Sequence, residues 1–272
     1  MPQIFTLKFS RIYFMKIFKK TAVLLLKYLN FGSAIAVRLT KLTGKSKVPV
    51  HPKHFLNLYP WYSKYLDKKD VILDLGCGNG QASLKVAKIV RKVFAVDIDR
   101  NLLKIAQIEA NYRRLKNIKL DIANLEKPLK FKDNYFDKVI FLDVLEHLKE
   151  RAQILCEIKR VVKNGGLMFL GAPNNNTSWK KLQRSVGLCS YSDSDHKVEF
   201  SEQSIKKLLA SHNFKIIHFG YGKYDTPLRG VFDIIGGFSL KFYKKISDWR
   251  QSKAIKNPKE ASGFEIVAQN IK

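Results

Sequence analysis

Val71–Gly80 reads VILDLGCGNG, and the fold follows from this stretch. Val71–Leu75 is apolar except for Asp74, the pattern of a short strand covered on both faces. Gly76, Gly78 and Gly80 then alternate with Cys77 and Asn79 in a loop that must turn tightly. Glycine takes up left-handed backbone without steric cost and lets a ligand approach the main chain closely. Gln81–Val90 has helical periodicity, so the loop opens a helix N-terminus, where backbone N–H groups are available to a ligand.

Strand and helix signals alternate downstream of this loop. Strands are expected at Lys92–Val96, Ile118–Leu120, Lys138–Leu142, Leu167–Gly171, Phe214–Phe219 and Gly263–Asn270. Helices are expected at Asn101–Arg114, Ala152–Val162 and Ser201–Ser211, with Gly165-Gly166 stopping the second. Strands separated by helices imply an α/β fold whose sheet is covered on both faces. The predicted architecture is a doubly wound, mostly parallel, seven-stranded Rossmann-like sheet with an antiparallel last strand. Residues 223–260 interrupt the final two strands, apolar over Gly230–Leu240 and then basic at Lys241, Lys244 and Lys245. They read as an insertion in a domain spanning residues 51–272.

Residues 1–50 read as a separate N-terminal arm. The chain has 50 Lys/Arg against 23 Asp/Glu in 272 residues, a formal charge of +27. Residues 1–66 hold twelve Lys/Arg and no acid, the first being Asp67. On a helical wheel Lys8, Arg11, Lys16, Lys19, Lys20 and Lys27 fall on one half, and Leu7, Tyr13, Phe14, Ile17, Leu24 and Leu25 on the other. This is an amphipathic helix with a basic face, suited through residues 1–45 to an anionic membrane surface. The apolar run Thr21–Leu26 ends at Lys27 after six residues, too short for a signal-peptide core or a membrane span. Cys77, Cys156 and Cys189 have neither metal nor disulfide spacing, so a reducing cytoplasmic setting is expected, and the basic arm would place the protein peripherally on the inner face of the membrane.

The acids around the glycine loop narrow its ligand. Asp97 ends the second strand, where a carboxylate can accept hydrogen bonds from both hydroxyls of a ribose. A dinucleotide-binding loop would have a third glycine at position 81, which here is Gln81. Asp74 suits a cation and would repel a pyrophosphate. S-adenosylmethionine, with its amino group and sulfonium, meets both conditions.

Over roughly residues 68–222 the sequence resembles the class I S-adenosylmethionine methyltransferases, in the branch that includes ubiquinone-biosynthesis O-methyltransferases. DLGCGNG at 74–80, VDID at 96–99, Asp121-Ile122, FDKVIFLDVLEHL at 136–148 and IKRVVKNGGLMFLGAPN at 158–174 match that family's motifs in order. The resemblance implies cofactor contacts from Asp74, Gly76, Cys77, Gly78, Gly80, Asp97, Ile98, Asp121, Ile122 and Leu142. It places Asp97 at the ribose, Asp121 at the adenine amino group and Ile122 against the adenine face. The family's usual Pro-Gly-Gly turn appears here as Asn164-Gly165-Gly166.

Methyl transfer from a sulfonium requires alignment of donor and acceptor, and a hydroxyl acceptor also needs a base. His147 and His196, both expected near the C-terminal ends of the strands, are the candidates. Asp143, Glu146 and His147 read D-x-x-E-H, close to a motif that binds a divalent ion in some relatives. Leu-Glu-His also occurs in relatives without metal, and none is expected here. The acceptor is expected to be a small or lipid-linked molecule methylated at oxygen. RNA is the alternative, favoured by charge alone. No Asn/Asp-Pro-Pro-aromatic motif follows the fourth strand, and no Pro-Cys nucleophile is present.

Overall fold

The computed structural model describes the backbone of residues 3–56 and 60–272, and side chains at 15–56 and 60–272. In chain order its elements are α1 (Gln3–Tyr28), α2 (Gly32–Leu42), β1 (Val71–Leu75), α3 (Gln81–Val86), β2 (Lys92–Asp97) and α4 (Arg100–Tyr112). Then come β3 (Ile118–Ile122), β4 (Phe136–Leu142), α5 (Arg151–Val161), β5 (Val162–Pro173), α6 (Ser178–Ser185) and α7 (Glu202–Ser211). The chain finishes with β6 (Phe214–Tyr221), α8 (Arg229–Phe238), α9 (Leu240–Lys256) and β7 (Gly263–Asn270). These elements form two compact units.

The sheet unit comprises Asn57–Asn174, Asp193–Gly222 and Ser262–Lys272. Its seven strands lie in the order β3-β2-β1-β4-β5-β7-β6. The β3–β2, β2–β1, β1–β4 and β4–β5 pairs are parallel, whereas β7 runs antiparallel to both β5 and β6. This is the doubly wound arrangement expected from the alternating pattern. All of β1 is buried, with Ile72, Leu73 and Leu75 at 0% exposure. Burial of each such aliphatic side chain contributes about 1.5–3 kcal/mol. Helix α5 covers the sheet with Ile154, Leu155, Ile158 and Val161, spaced as one helical stripe.

Several expected boundaries differ: α3 ends at Val86 rather than Val90, and β2, β3 and β6 run one or two residues past their expected ends. Gly165-Gly166 does not stop α5: the helix ends at Val161 and the chain enters β5 at once. Val162 pairs with Phe136, and the ladder shifts register between Phe136 and Lys138. Gly165, at φ +76°, and Gly166, where a Cβ would lie 2.6 Å from the Asp137 carbonyl oxygen, sit in that irregular stretch. The glycines thus accommodate a bulge inside a strand.

The helical unit comprises Met1–Leu56, Asn175–Ser192 and Lys223–Ala261. Its centre is the contact of α8 with the start of α2. A Cβ on Gly32 would lie 2.4 Å from the Gly230 carbonyl oxygen, and one on Gly230 would lie 2.0 Å from that of Leu29. Glycine at both positions lets the backbones approach. Beside this contact Asp233, 1% exposed, accepts hydrogen bonds from Ser33 Oγ at 2.5 Å and Tyr243 Oη at 2.7 Å. His51 Nε2 lies 3.2 Å from the same carboxylate. Burial alone would raise the Asp233 pKa; His51, Ser33 and Tyr243 outweigh it and hold the carboxyl at about 2.

Side chains of Leu7, Lys8, Arg11, Tyr13 and Phe14, part of the wheel described above, lie outside the described residues. Within them, Ile17, Phe18 and Leu25 are exposed, and Val23 is buried. Met15–Leu42 is a helical stretch long and apolar enough to cross a membrane, by length and composition. A test on uninterrupted apolar runs does not detect it, because Lys19, Lys20 and Lys27 punctuate the sequence.

Candidate functional site

Because β1, β2, β3 and β4 run parallel, their C-terminal ends share one edge of the sheet, where ligands bind in such folds. The loop Gly76–Gly80 leaves β1 on this edge. Gly76 N–H and Cys77 N–H both donate to Val96 O, at 2.8 and 3.0 Å, which ties the loop to β2. Gly76, Gly78 and Gly80 have φ of +69°, +54° and +76°. A Cβ on Gly76 would meet Val144 at 2.5 Å and one on Gly80 would meet Ala106 at 2.8 Å, whereas nothing lies within 4 Å of a Cβ on Gly78. The outer two glycines are required by their neighbours, and Gly78 leaves the backbone open to a ligand.

Asp97 stands across this loop. Its Oδ2 accepts from Gly78 N–H at 2.7 Å and its Oδ1 from Asp99 N–H at 2.9 Å. Strand register places Asp97 beside Ile122 and Val96 beside Asp121. Asp121 is exposed, and its Oδ1 accepts from Ile122 N–H at 2.8 Å. Ile98 and Ile122 are 66% and 46% exposed, apolar surfaces flanking two carboxylates. Leu142 ends β4, half-buried, and the next residue, Asp143, takes up φ +56°. The ten residues expected to contact a cofactor therefore lie on β1, β2, β3 and β4 or in the turns that follow them.

Asp74 lies beneath the loop, 2% exposed, and accepts from the Ser83 hydroxyl of α3. Burial raises its carboxyl to about 7; the Ser83 hydrogen bond opposes this, and the negative charge of Asp97 adds to it. A cation here would relieve the repulsion between the two carboxylates, and an added anion would increase it. Burial also pushes the Cys77 thiol up, so it is no nucleophile at neutral pH.

A pH dependence follows. A cationic ligand favours the ionised form of Asp74, so its binding expels a proton wherever the free carboxyl is protonated. Affinity for S-adenosylmethionine should rise up to about tenfold per pH unit between about pH 5 and 7, then level off. Calorimetry across that range reads the slope; a flat profile would remove Asp74 from the cation's surroundings.

Beyond β4, His147 and His196 meet with ring centroids 4.7 Å apart and planes at 83°. His196 is nearly buried; its Nδ1 lies 3.0 Å from Glu199 Oε1 and its Nε2 lies 3.9 Å from Glu146 Oε1. The Lys197 and Val198 N–H groups donate to Glu146 O, which holds the two segments together. Glu146, His147 and His196 each offer a ligand atom, all within 4.8 Å, a set able to hold a divalent ion. Asp143, which the sequence grouped with Glu146 and His147, is not in that set. Sequence inspection missed Ser83 and Glu199. Ser83 gives no local signal, but Glu199 stands three residues after His196, as an orienting carboxylate would.

Residues 73–170 match the family described as Methyltransferase domain. A probable S-adenosylmethionine-dependent methyltransferase of Mycobacterium tuberculosis is 32% identical over 106 residues, 39% of this chain and 36% of that protein. A ubiquinone biosynthesis O-methyltransferase of Nitrosomonas europaea is 27% identical over 135 residues, 46% of this chain and 54% of that one. The matches thus span between a third and about half of these relatives' length. A crystal structure of an S-adenosylmethionine-dependent methyltransferase from Methanosarcina mazei aligns with TM-score 0.56 and 24% identity, covering 79% of this chain and 99% of that one, which shows a common fold. Residues 73–170 thus match the methyltransferase-domain family, and the sheet unit shares the fold of an S-adenosylmethionine-dependent methyltransferase.

Proposed function

We propose that the protein transfers a methyl group from S-adenosylmethionine to an oxygen of a small or lipid-linked acceptor, in the cytoplasm at the inner face of a membrane. The observation that carries this reading is the Asp97 carboxylate on the N–H of an open Gly78, with buried Asp74 beneath the same loop, a site suited to a cationic nucleoside. Bound S-adenosylmethionine supplies an electrophilic methyl carbon. In this reading Asp97 accepts the ribose hydroxyls, and Asp121 takes the adenine amino group, with Ile98 and Ile122 covering the base. Asp74 balances the positive charge through the loop.

His147 accepts the proton of the acceptor hydroxyl as the oxygen takes the methyl group. His196, oriented by Glu199, holds the His147 ring by its edge contact. Oxygen as the methylated atom is supported by this proton-accepting pair and by the O-methyltransferase named among the relatives.

The experiment is mass-spectrometric comparison of metabolites from cells with and without the protein, followed by kinetics on the product's precursor. His147→Ala should lower kcat about 10²–10⁴-fold while the affinity for S-adenosylmethionine stays unchanged. Unchanged kcat would remove His147 from the chemistry.

A further inference from the structure

The helical unit carries twenty-three Lys/Arg and four Asp/Glu, a formal charge of +19 out of the chain's +27. Each of those four acids is already engaged inside the unit. Asp225 accepts from Thr177 Oγ1 at 2.6 Å, and Asp233 is enclosed by Ser33, Tyr243 and His51. Glu260 accepts from Ser178 N–H and Oγ at 2.9 and 2.6 Å, and Asp248 pairs with Lys244 at 2.8 Å. Among the described residues Lys180 and Arg250 are buried, and most of the other cations are left to the surface. It does not come from the N-terminal segment alone, since residues 223–261 supply nine Lys/Arg.

Helix α9 shows how this surface is organised. Tyr243, Ser247, Arg250 and Ala254 are its buried stripe. At 100° per residue Phe242, Lys245, Trp249, Lys253 and Lys256 fall together on a different, outward face. Phe242 is 60% and Trp249 45% exposed. Lys253 Nζ sits 5.1 Å from the Trp249 ring centroid, a cation held against an aromatic face. In α1, Ile17, Phe18 and Leu25 are likewise exposed among Lys16, Lys19 and Lys20.

We infer that the helical unit is a docking surface for an anionic lipid bilayer, with the outward face of α9 as a contact element alongside α1. This inference stands independently of the methyl-transfer reading. Aromatic rings and aliphatic chains interleaved with lysines suit the bilayer interface, where apolar groups enter the acyl boundary and ammonium groups meet phosphates. A sugar-phosphate backbone would use the lysines and leave Ile17, Leu25 and Phe242 in water. The bilayer contact is interfacial: the α2 end of the apolar stretch is seated on α8 through Gly32 and Gly230, and lysines recur along α1.

The test is flotation of the full chain with vesicles of phosphatidylcholine alone or mixed with phosphatidylglycerol, at low and high salt. Binding should require the anionic lipid and fall with salt. K245E/K253E/K256E, all on the surface, should lower partitioning at least about tenfold. Phe242→Ser should also weaken it, and both variants should keep wild-type melting and S-adenosylmethionine affinity. Equal partitioning onto neutral and anionic vesicles, or wild-type partitioning by K245E/K253E/K256E, would overturn the inference. So would a single-stranded RNA that displaces the protein from vesicles and binds Phe242→Ser as tightly as wild type. Loss of S-adenosylmethionine binding by the wild type with intact lipid binding would instead count against the methyl-transfer reading alone.

Discussion

Asp97→Ala will bind S-adenosylmethionine about a hundredfold more weakly than the wild type, or worse. Two effects combine. In the proposed reading the carboxylate accepts both ribose hydroxyls, and a hydrogen bond to a charged group contributes about 1.5–3 kcal/mol. The same carboxylate holds Gly78 N–H at 2.7 Å, so its removal also loosens the loop at the glycine left open to the ligand. Asp97→Asn should retain part of this anchoring, since its amide oxygen still accepts one hydrogen bond, and should fall between the two. Wild-type affinity in Asp97→Ala, measured by calorimetry, would refute the ribose role.

Gly230→Ala will destabilise the helical unit by about 3 kcal/mol, the upper range for overpacking a tight contact. The added methyl would stand 2.0 Å from the Leu29 carbonyl oxygen and 2.8 Å from Asn30 Cα. Both obstacles are backbone, so no rotamer change relieves them and α8 must move away from residues 29–32. That movement strains the Ser33–Asp233 hydrogen bond beside the contact. In calorimetric melting a transition should shift down by roughly 10 °C or more. S-adenosylmethionine affinity at low temperature should be preserved, because Gly230 lies outside the sheet unit. An unchanged melting profile would mean that α8 is not seated on residues 29–32.

The sheet was legible for a definite reason. Strands buried on both faces, such as VILDL and KVIFL, are contiguous apolar runs, and glycines mark where β1 turns into α3. Asp97 was readable because it ends β2, and Asp121 because Asp121-Ile122 resembles the family's motif. Contacts between distant residues were not readable. His147 and His196 meet across forty-nine residues, and Ser83 reaches Asp74 only because α3 folds back over β1. The Gly165-Gly166 pair was misread because a glycine pair after a helix looks the same whether it stops the helix or eases a strand bulge. Likewise, nothing local in residues 1–56 indicates that they fold with 175–192 and 223–261; only the packing of Gly32 against Gly230 and of Ser33 on Asp233 reveals it. Periodicity shows which face of a helix is apolar, but not whether protein or something else covers it.

The most direct measurement is calorimetric titration of the full chain with S-adenosylmethionine, with NAD⁺ titrated in parallel. The acids at 74 and 97, and Gln81 in place of a third glycine, predict saturable one-to-one binding of S-adenosylmethionine and none of NAD⁺. Absence of S-adenosylmethionine binding, or equal binding of the pyrophosphate-bearing dinucleotide, would contradict it.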